Sequence, residues 1–251
     1  MSKRPSLESL IETEAIGVES FHPGGLEITR ELAELCRIGK DTRVLDVASG
    51  TGETACFLAD ALGAHVIGVD ISDHLLRRAR DKAAQRSLAV EFLKADAHEL
   101  AFPDNAFDAV ISECTLCLLD KGTALREMVR VAKPGGRVGI HDVCWRADTP
   151  DRLKERLEAL EGERPETLQG WALLFERAGL VDIHVVDKPA LMPTWLRSVR
   201  KALGLVGQFR VFSRVFRLWG IAGLVGVLQS ERIFESRYMG YGIIVGTKRA
   251  S

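Results

Sequence analysis

The 251-residue chain lacks an apolar run that would cross a bilayer: the longest, Leu218–Leu228, stops after eleven residues, and a spanning helix needs about 20. It has no internal repeat and no low-complexity tract, so repeat arrays are not expected. The start, MSKRPSLESLIETEA, is charged and has no apolar centre of the kind a secretory signal carries. The five cysteines (Cys36, Cys56, Cys114, Cys117 and Cys144) are an odd number without a disulfide-type spacing, which fits a reducing compartment. A cytoplasmic location is expected. Net charge is also scarce, at −1, which argues against a general nucleic-acid binder, and no nucleic-acid partner is expected. One absence is local. Residues 188–230 contain no acid but seven cations, Lys188, Arg197, Arg200, Lys201, Arg210, Arg214 and Arg217, while residues 1–187 carry −10.

What is present is an ordinary globular balance, 46% apolar and 27% charged, at a length that suits one α/β domain over 1–251. Apolar strands alternate with amphipathic helices. Strands are expected at Arg43–Val47, His65–Val69, Val90–Leu93, Ala106–Ser112, Arg137–Asp142, Val181–Val186 and Tyr241–Thr247. Helices are expected from Gly52 through Leu62, over Asp73–Arg86, over Thr123–Val131 before Lys133-Pro134-Gly135-Gly136, and over Pro165–Ala178. Such alternation implies a Rossmann-like doubly wound sheet, mostly parallel, with helices on both faces. More than fifty residues separate the sixth and last strands, far more than an αβ loop requires. Residues 189–237 are therefore read as a helical insertion over the ligand edge of the sheet.

Val44-Leu45-Asp46-Val47-Ala48-Ser49-Gly50-Thr51-Gly52 puts a carboxylate at a strand end and then a glycine turn into a helix. Two ligand types suit this. A dinucleotide sets its pyrophosphate on the helix start, and Gly50-Thr51-Gly52-Glu53-Thr54-Ala55 also fits the pattern GxGxxG/A. S-adenosylmethionine (SAM) instead brings a cationic amino-acid end that Asp46 can help hold. Asp70 suits either ligand, because an acid at the second strand end accepts from ribose hydroxyls. Asp96, after the third strand, shifts the balance toward an adenosyl ligand. Asp46, Asp70, Asp96 and Ser112-Glu113 then converge at four strand ends.

VLDVASGTG, VIGVDIS, VEFLKADAHELAFPDNAFDAVIS and VAKPGGRVGIHDV, in that order, resemble the motifs of class I SAM-dependent methyltransferases. The resemblance is nearest to the ubiquinone/menaquinone C-methyltransferase group and its arsenite-methyltransferase relatives, and covers about residues 20–187 plus the final strand. It implies a seven-stranded sheet whose last strand is antiparallel, and SAM as cofactor. Asp46, Gly50 and Gly52 would face the methionine part, Asp70 the ribose, and Asp96 with Ala97 the adenine, while Ala48, Ser49, Ile71 and Ser112 complete the cofactor-binding set. The expected activity is methyl transfer to a small, hydrophobic acceptor. An arsenite- or thiol-type methyltransferase, a nucleotide-dependent oxidoreductase and a non-catalytic SAM-binding module remain alternatives.

The candidate reactive residues are His22, Glu113, Cys114, His141 and Asp142. His22 lies in Phe21-His22-Pro23-Gly24-Gly25, an HPGG-type segment that relatives fold over SAM, and it either titrates near neutral pH or merely opens a turn. Cys114 aligns with a cysteine that arsenite methyltransferases use, but As(III) requires several thiolates, and no convincing set accompanies it. Cys114-x-x-Cys117 alone makes no metal site, and none is expected. His141-Asp142 ends the fifth strand and either orients a substrate or packs in the core.

In the insertion, Arg210, Arg214 and Arg217 recur at i, i+4 and i+7 on one helical face, with Phe209, Phe212, Phe216 and Trp219 beside and opposite it. The segment is expected to cap the acceptor pocket, to pack its aromatics on the sheet, or to touch an anionic membrane peripherally through residues 197–219. Glycines at 204, 207, 220, 223 and 226 oppose one long helix.

Overall fold

The computed structural model describes residues 22–189 and 191–250; Phe21 lies outside them. In chain order the elements are α1 (Gly25–Leu35), β1 (Arg43–Val47), α2 (Glu53–Leu62), β2 (His65–Asp70), α3 (Asp73–Gln85), β3 (Glu91–Lys94), β4 (Phe107–Glu113), a 3-10 turn (Leu116–Leu118), α4 (Lys121–Val131), β5 (Ala132–Trp145), α5 (Asp151–Glu161), β6 (Glu166–Thr167), α6 (Leu168–Arg177), β7 (Leu180–Lys188), α7 (Met192–Phe234) and β8 (Met239–Lys248). Seven strands run in the order β3-β2-β1-β4-β5-β8-β7, and the two-residue β6 joins β5 as an eighth. β8 is antiparallel to both of its neighbours, β5 and β7. The doubly wound, mostly parallel sheet with an antiparallel last strand is as the sequence implies.

Strand residues alternate between two apolar layers, as a sheet covered on both faces requires. Val44, Ala109, Ile111, Ile243 and Val245 pack with Leu32 and Cys36 at α1, Leu58 of α2 and Leu76 of α3. Leu45, Val110, Ile140 and Ile244 pack with Leu125 and Met128 of α4 and Trp171 and Phe175 of α6. This parity decides the site. Asp46, Asp70, Glu113 and His141 share the parity of the first set, so four strands deliver four polar groups to one face at their carboxyl ends. The order β2-β1-β4 makes β1 the switch point of the sheet, where ligands of doubly wound folds bind.

The structure corrects several expected elements. The helix expected over Pro165–Ala178 begins only at Leu168, with Thr167 as its cap, because Glu166 and Thr167 are held as strand against Cys144 and Trp145. β5 starts directly after α4 and runs through Lys133–Gly136, with a register shift between Phe107 and Ala109 of β4. Thr29 and Cys36 are expected on helices, and α1 with its cap at Cys36 agrees; helix α5 was not expected from the sequence. The insertion is helical but breaks at Gly204 (φ 59°, ψ −176°) and Gly220 (φ 63°, ψ −156°), a backbone region that essentially only glycine enters. Its phenylalanines of the middle stretch do not pack on the sheet: Phe209, Phe212 and Phe216 are 69%, 53% and 51% exposed, whereas Trp219 packs against the cluster of Val143, Trp145 and Tyr241.

Candidate functional site

A cavity of about 340 Å³ opens at the switch point. Asp46, Ala48, Ser49, Gly50, Asp70, Ile71, Asp96, Ala97, Glu113, Cys114, Asp142 and His22 lie on its wall. Of the other expected site residues, Ser112 has the opposite strand parity and is fully buried. Gly52 stands behind the turn against Phe92 and Ala79, where an added Cβ would come within 2.6 Å of the phenyl ring. His141 is fully buried behind Glu113. No insertion residue lines this cavity, so the expected cap over the acceptor pocket is absent among the described residues.

The turn after β1 is wound so tightly that Ala48 (φ 60°) and Gly50 (φ 54°) both take left-handed conformations. Asp70 steadies it: its carboxylate accepts from the Gly50 N–H at 2.9 Å and the Ser72 N–H at 2.8 Å. The Gly50 amide is therefore already engaged by an acid, and Asp46 adds a second carboxyl at the same turn. A pyrophosphate would meet two acids here, whereas a cationic amino-acid group would be attracted. Asp46 is buried, and its Oδ2 has no hydrogen-bond partner among the described residues. Burial pushes its carboxyl well above the usual range, and Glu113 and Asp70 push it further. An ammonium group at this place would supply the missing partner and charge. Across the cavity, Asp96 accepts from the His98 backbone at 2.9 Å and meets the His98 ring at 2.7 Å. Those hydrogen bonds hold it below the ordinary carboxylate range. Ile71, 66% exposed, offers an apolar face beside it.

At the other end of the cavity is a buried cluster. Glu113 and His141 are direct register partners on β4 and β5. Glu113 Oε1 lies 3.7 Å from Nδ1 of both His22 and His141, and Oε2 accepts from the Thr54 hydroxyl at 2.6 Å and the Thr29 hydroxyl at 3.0 Å. Burial works to raise the Glu113 carboxyl, but the imidazoles and the Thr54 hydroxyl outweigh it and hold it down to about 2. Burial lowers His22, so it is a neutral imidazole beside a carboxylate. Both His22 ring nitrogens, Nε2 of His141 and the Tyr241 hydroxyl are buried without hydrogen-bond partners among the described residues. Such groups cost free energy unless something polar meets them. The His22–Glu113–His141 donors lie within 4.8 Å of one another, so the cluster has the donors to hold a proton or a small divalent cation.

The cysteines behave differently. Cys114 sits at φ 53°, which turns it into the cavity, with Sγ 3.8 Å from His141 Nδ1. Burial, then the Asp142 and Glu113 charges, push its thiol well above the usual value, and Cys117 is raised likewise. No trio of thiols comes together among the described residues. Asp142 anchors backbone, accepting from the Cys117 and Val143 N–H groups at 3.1 and 2.8 Å. Thr29, Thr54, His98 and Tyr241 were not expected from the sequence as site residues. Hydroxyl residues on amphipathic helices carry no motif, but a tyrosine in an otherwise apolar strand, one of only two in the chain, was a readable signal for a buried hydroxyl.

A doubly wound sheet with three acids at consecutive strand ends around a glycine turn defines a nucleoside-binding protein whose ligand carries positive charge. Residues 45–140 match the family model described as a methyltransferase domain. Methyltransferase GfsG of Streptomyces halstedii is 31% identical over 193 residues, covering 71% of this chain and 69% of that protein. Phosphoethanolamine N-methyltransferase 1 of Arabidopsis thaliana is 32% identical over 166 residues, covering 66% of this chain and 34% of that protein. The chain thus spans about a third of the length of such plant relatives. The structure of Haemonchus contortus phosphoethanolamine N-methyltransferase 2 with SAM superposes with a TM-score of 0.77 at 22% identity, covering 96% of this chain and 56% of that one. The chain belongs to the class I SAM-dependent methyltransferases, and SAM is its cofactor.

Proposed function

We propose that the chain transfers a methyl group from SAM to a small, hydrophobic acceptor held between the adenosyl cradle and the His22–Glu113–His141 cluster. SAM, when bound, supplies a methyl group already activated by its sulfonium. Asp46 would meet the amino-acid end, Asp70 the ribose hydroxyls, and Asp96 with Ala97 and Ile71 the adenine. The observation that supports this reading most is one cavity lined both by the acids of a nucleoside cradle and by the His22 imidazole beside Glu113, whose ring nitrogens have no hydrogen-bond partner among the described residues. The rest of the wall includes the apolar Leu118, Leu119, Val143 and Cys117, with Thr115, Asp142, Glu163 and Tyr241 among them. That lining favours an apolar acceptor with one polar atom, which His22 can orient or deprotonate, with Glu113 balancing the charge of the imidazolium. Much of the acceleration would come from positioning, since the methyl donor needs no further activation. The relatives' named acceptor, phosphoethanolamine, is charged, and the apolar wall argues for a different class here.

Two variants test the division of labour. Asp70→Ala should weaken SAM binding by about 1.5–3 kcal/mol for each lost hydrogen bond, measured by calorimetry on folded protein. Glu113→Gln should leave SAM affinity nearly unchanged but lower S-adenosylhomocysteine release by roughly a hundredfold, measured with a panel of apolar small molecules. SAM affinity unchanged in Asp70→Ala refutes the ribose role. Turnover that a chelator abolishes and zinc restores reassigns the cluster from proton holding to metal binding. No turnover of SAM with any acceptor leaves a SAM-binding module.

A further inference from the structure

Six of the seven cations of residues 188–230 and the exposed apolar residues of the insertion lie on one helical segment, Met192–Phe234; the seventh, Lys188, ends β7 and pairs with Glu31. The run Pro193–Phe234 is long and apolar enough, by composition, to cross a membrane. Gly204 and Gly220 break it into three pieces, each too short for the roughly 20 residues a span needs. The first and third pieces are anchored. Trp195, Val199, Ile233 and Phe234 pack with Leu157 of α5, Val143 and Trp145 of β5 and Tyr241 of β8, and Arg200 pairs with Glu231 at 2.7 Å. The middle piece, 205–219, buries only the Val215 edge. Leu205, Phe209, Phe212 and Phe216 fall at i, i+4, i+7 and i+11 on an outward face and are 51–86% exposed. Ile221, Val225 and Leu228 repeat the pattern on the third piece. Arg210, Arg214 and Arg217 lie together on the side of the helix away from the aromatic line, are exposed, and have no ion pair among the described residues.

A second cavity, of about 360 Å³, lies within the insertion. Its wall is apolar, including Trp195, Val199, Leu203, Val211, Val215 and Val227, with Arg200 and Glu231 also on it. Phe212 and Leu228 line this cavity and are also half exposed, so its mouth lies on the same apolar face. Trp195 and Phe234 from its wall share one apolar cluster with Tyr241 and Cys117, which line the SAM cavity.

We propose that residues 205–228 dock on an anionic lipid bilayer, and that the cavity behind them takes one apolar chain from it. Exposed phenylalanines on one side of the helix, with arginines on the other that have no ion pair among the described residues, match the depth profile of such a surface, apolar tails below and phosphates above. A neutral apolar partner would leave the arginines uncompensated, and a cationic one would be repelled. The docking is independent of the acceptor proposed above, because its readout is lipid binding and not turnover.

The test is co-sedimentation of the full chain with phosphatidylglycerol vesicles at low and high salt, with phosphatidylcholine vesicles as comparison. Binding to phosphatidylglycerol that weakens with salt and exceeds binding to phosphatidylcholine is expected. Arg210, Arg214 and Arg217 changed together to Gln should weaken it by roughly a hundredfold. If that variant does not fold, the salt dependence of the unaltered protein decides. The chain site is read separately, through tryptophan emission in a Trp219→Phe background. Phosphatidylglycerol with brominated chains should quench Trp195. Val227→Phe, which narrows the cavity without adding an indole, should reduce that quenching while sedimentation persists. No sedimentation with phosphatidylglycerol at low salt overturns the docking, as does concentration-dependent dimerisation that buries the same face in place of lipid. Equal emission with brominated and ordinary lipid overturns the chain site.

Discussion

At the scale of single residues, His22 is the most sensitive reporter of the site. Its ring is buried against Glu113, 6.3 Å from the His141 ring, and burial holds its pKa below 6.5. As pH falls through about 6.5 the unfolded chain takes up a proton that the folded protein resists, so acid favours unfolding. The loss continues until the folded protein's own His22 protonates, and then stops. Denaturant midpoints followed from about pH 7.5 downward should therefore fall more steeply for the unaltered protein than for His22→Asn, which has no proton to exclude. Parallel curves would show that His22 is not the titrating group. That Asp46, Asp70 and Asp96 meet at one cavity was legible because each lies at or just past a strand end and in a local motif. The Glu113–His141 pairing was not, because it depends on the register of two strands separated by α4. Thr29 and Thr54 were invisible for the same reason: nothing within a few residues of either records that a carboxylate will arrive from β4.

At the scale of elements, the strands were legible because burial on both faces gives short, continuous apolar runs with little competition from other patterns. The path of the insertion was not. Its apolar residues point outward, so the rule that apolar residues face the core gave the wrong side for Phe209, Phe212 and Phe216. The glycines were the better guide, and two of the five are where the helix turns. A methyl group added at Gly220 would meet nothing within 4 Å, so any cost of substitution there comes from the backbone. Gly220→Ala should destabilise by about 1–3 kcal/mol or straighten the break, read as a lower thermal midpoint or as faster proteolysis of the insertion. An unchanged midpoint and cleavage pattern would show that the turn is not fixed by its dihedral angles.

At the scale of the molecule, ligand linkage separates the readings of the SAM cavity. SAM at a hundred times its Kd should stabilise the fold by about 2.7 kcal/mol, visible as a raised thermal midpoint, while NAD should leave it unchanged. Arsenite should leave it unchanged too, because the thiols are raised and no three converge among the described residues. Stoichiometric stabilisation by arsenite, lost in Cys114→Ser, would restore the arsenite-methyltransferase alternative. The strand order adds a consequence for biosynthesis. β8 is synthesised after the insertion, yet it lies between β5 and β7, so β7 has no partner in the sheet until residues 239–248 have left the ribosome. Throughout that interval the insertion is tethered to an unfinished sheet with its phenylalanines already uncovered. A nascent chain in this state is a substrate for whatever collects exposed apolar helices until the last strand closes the sheet.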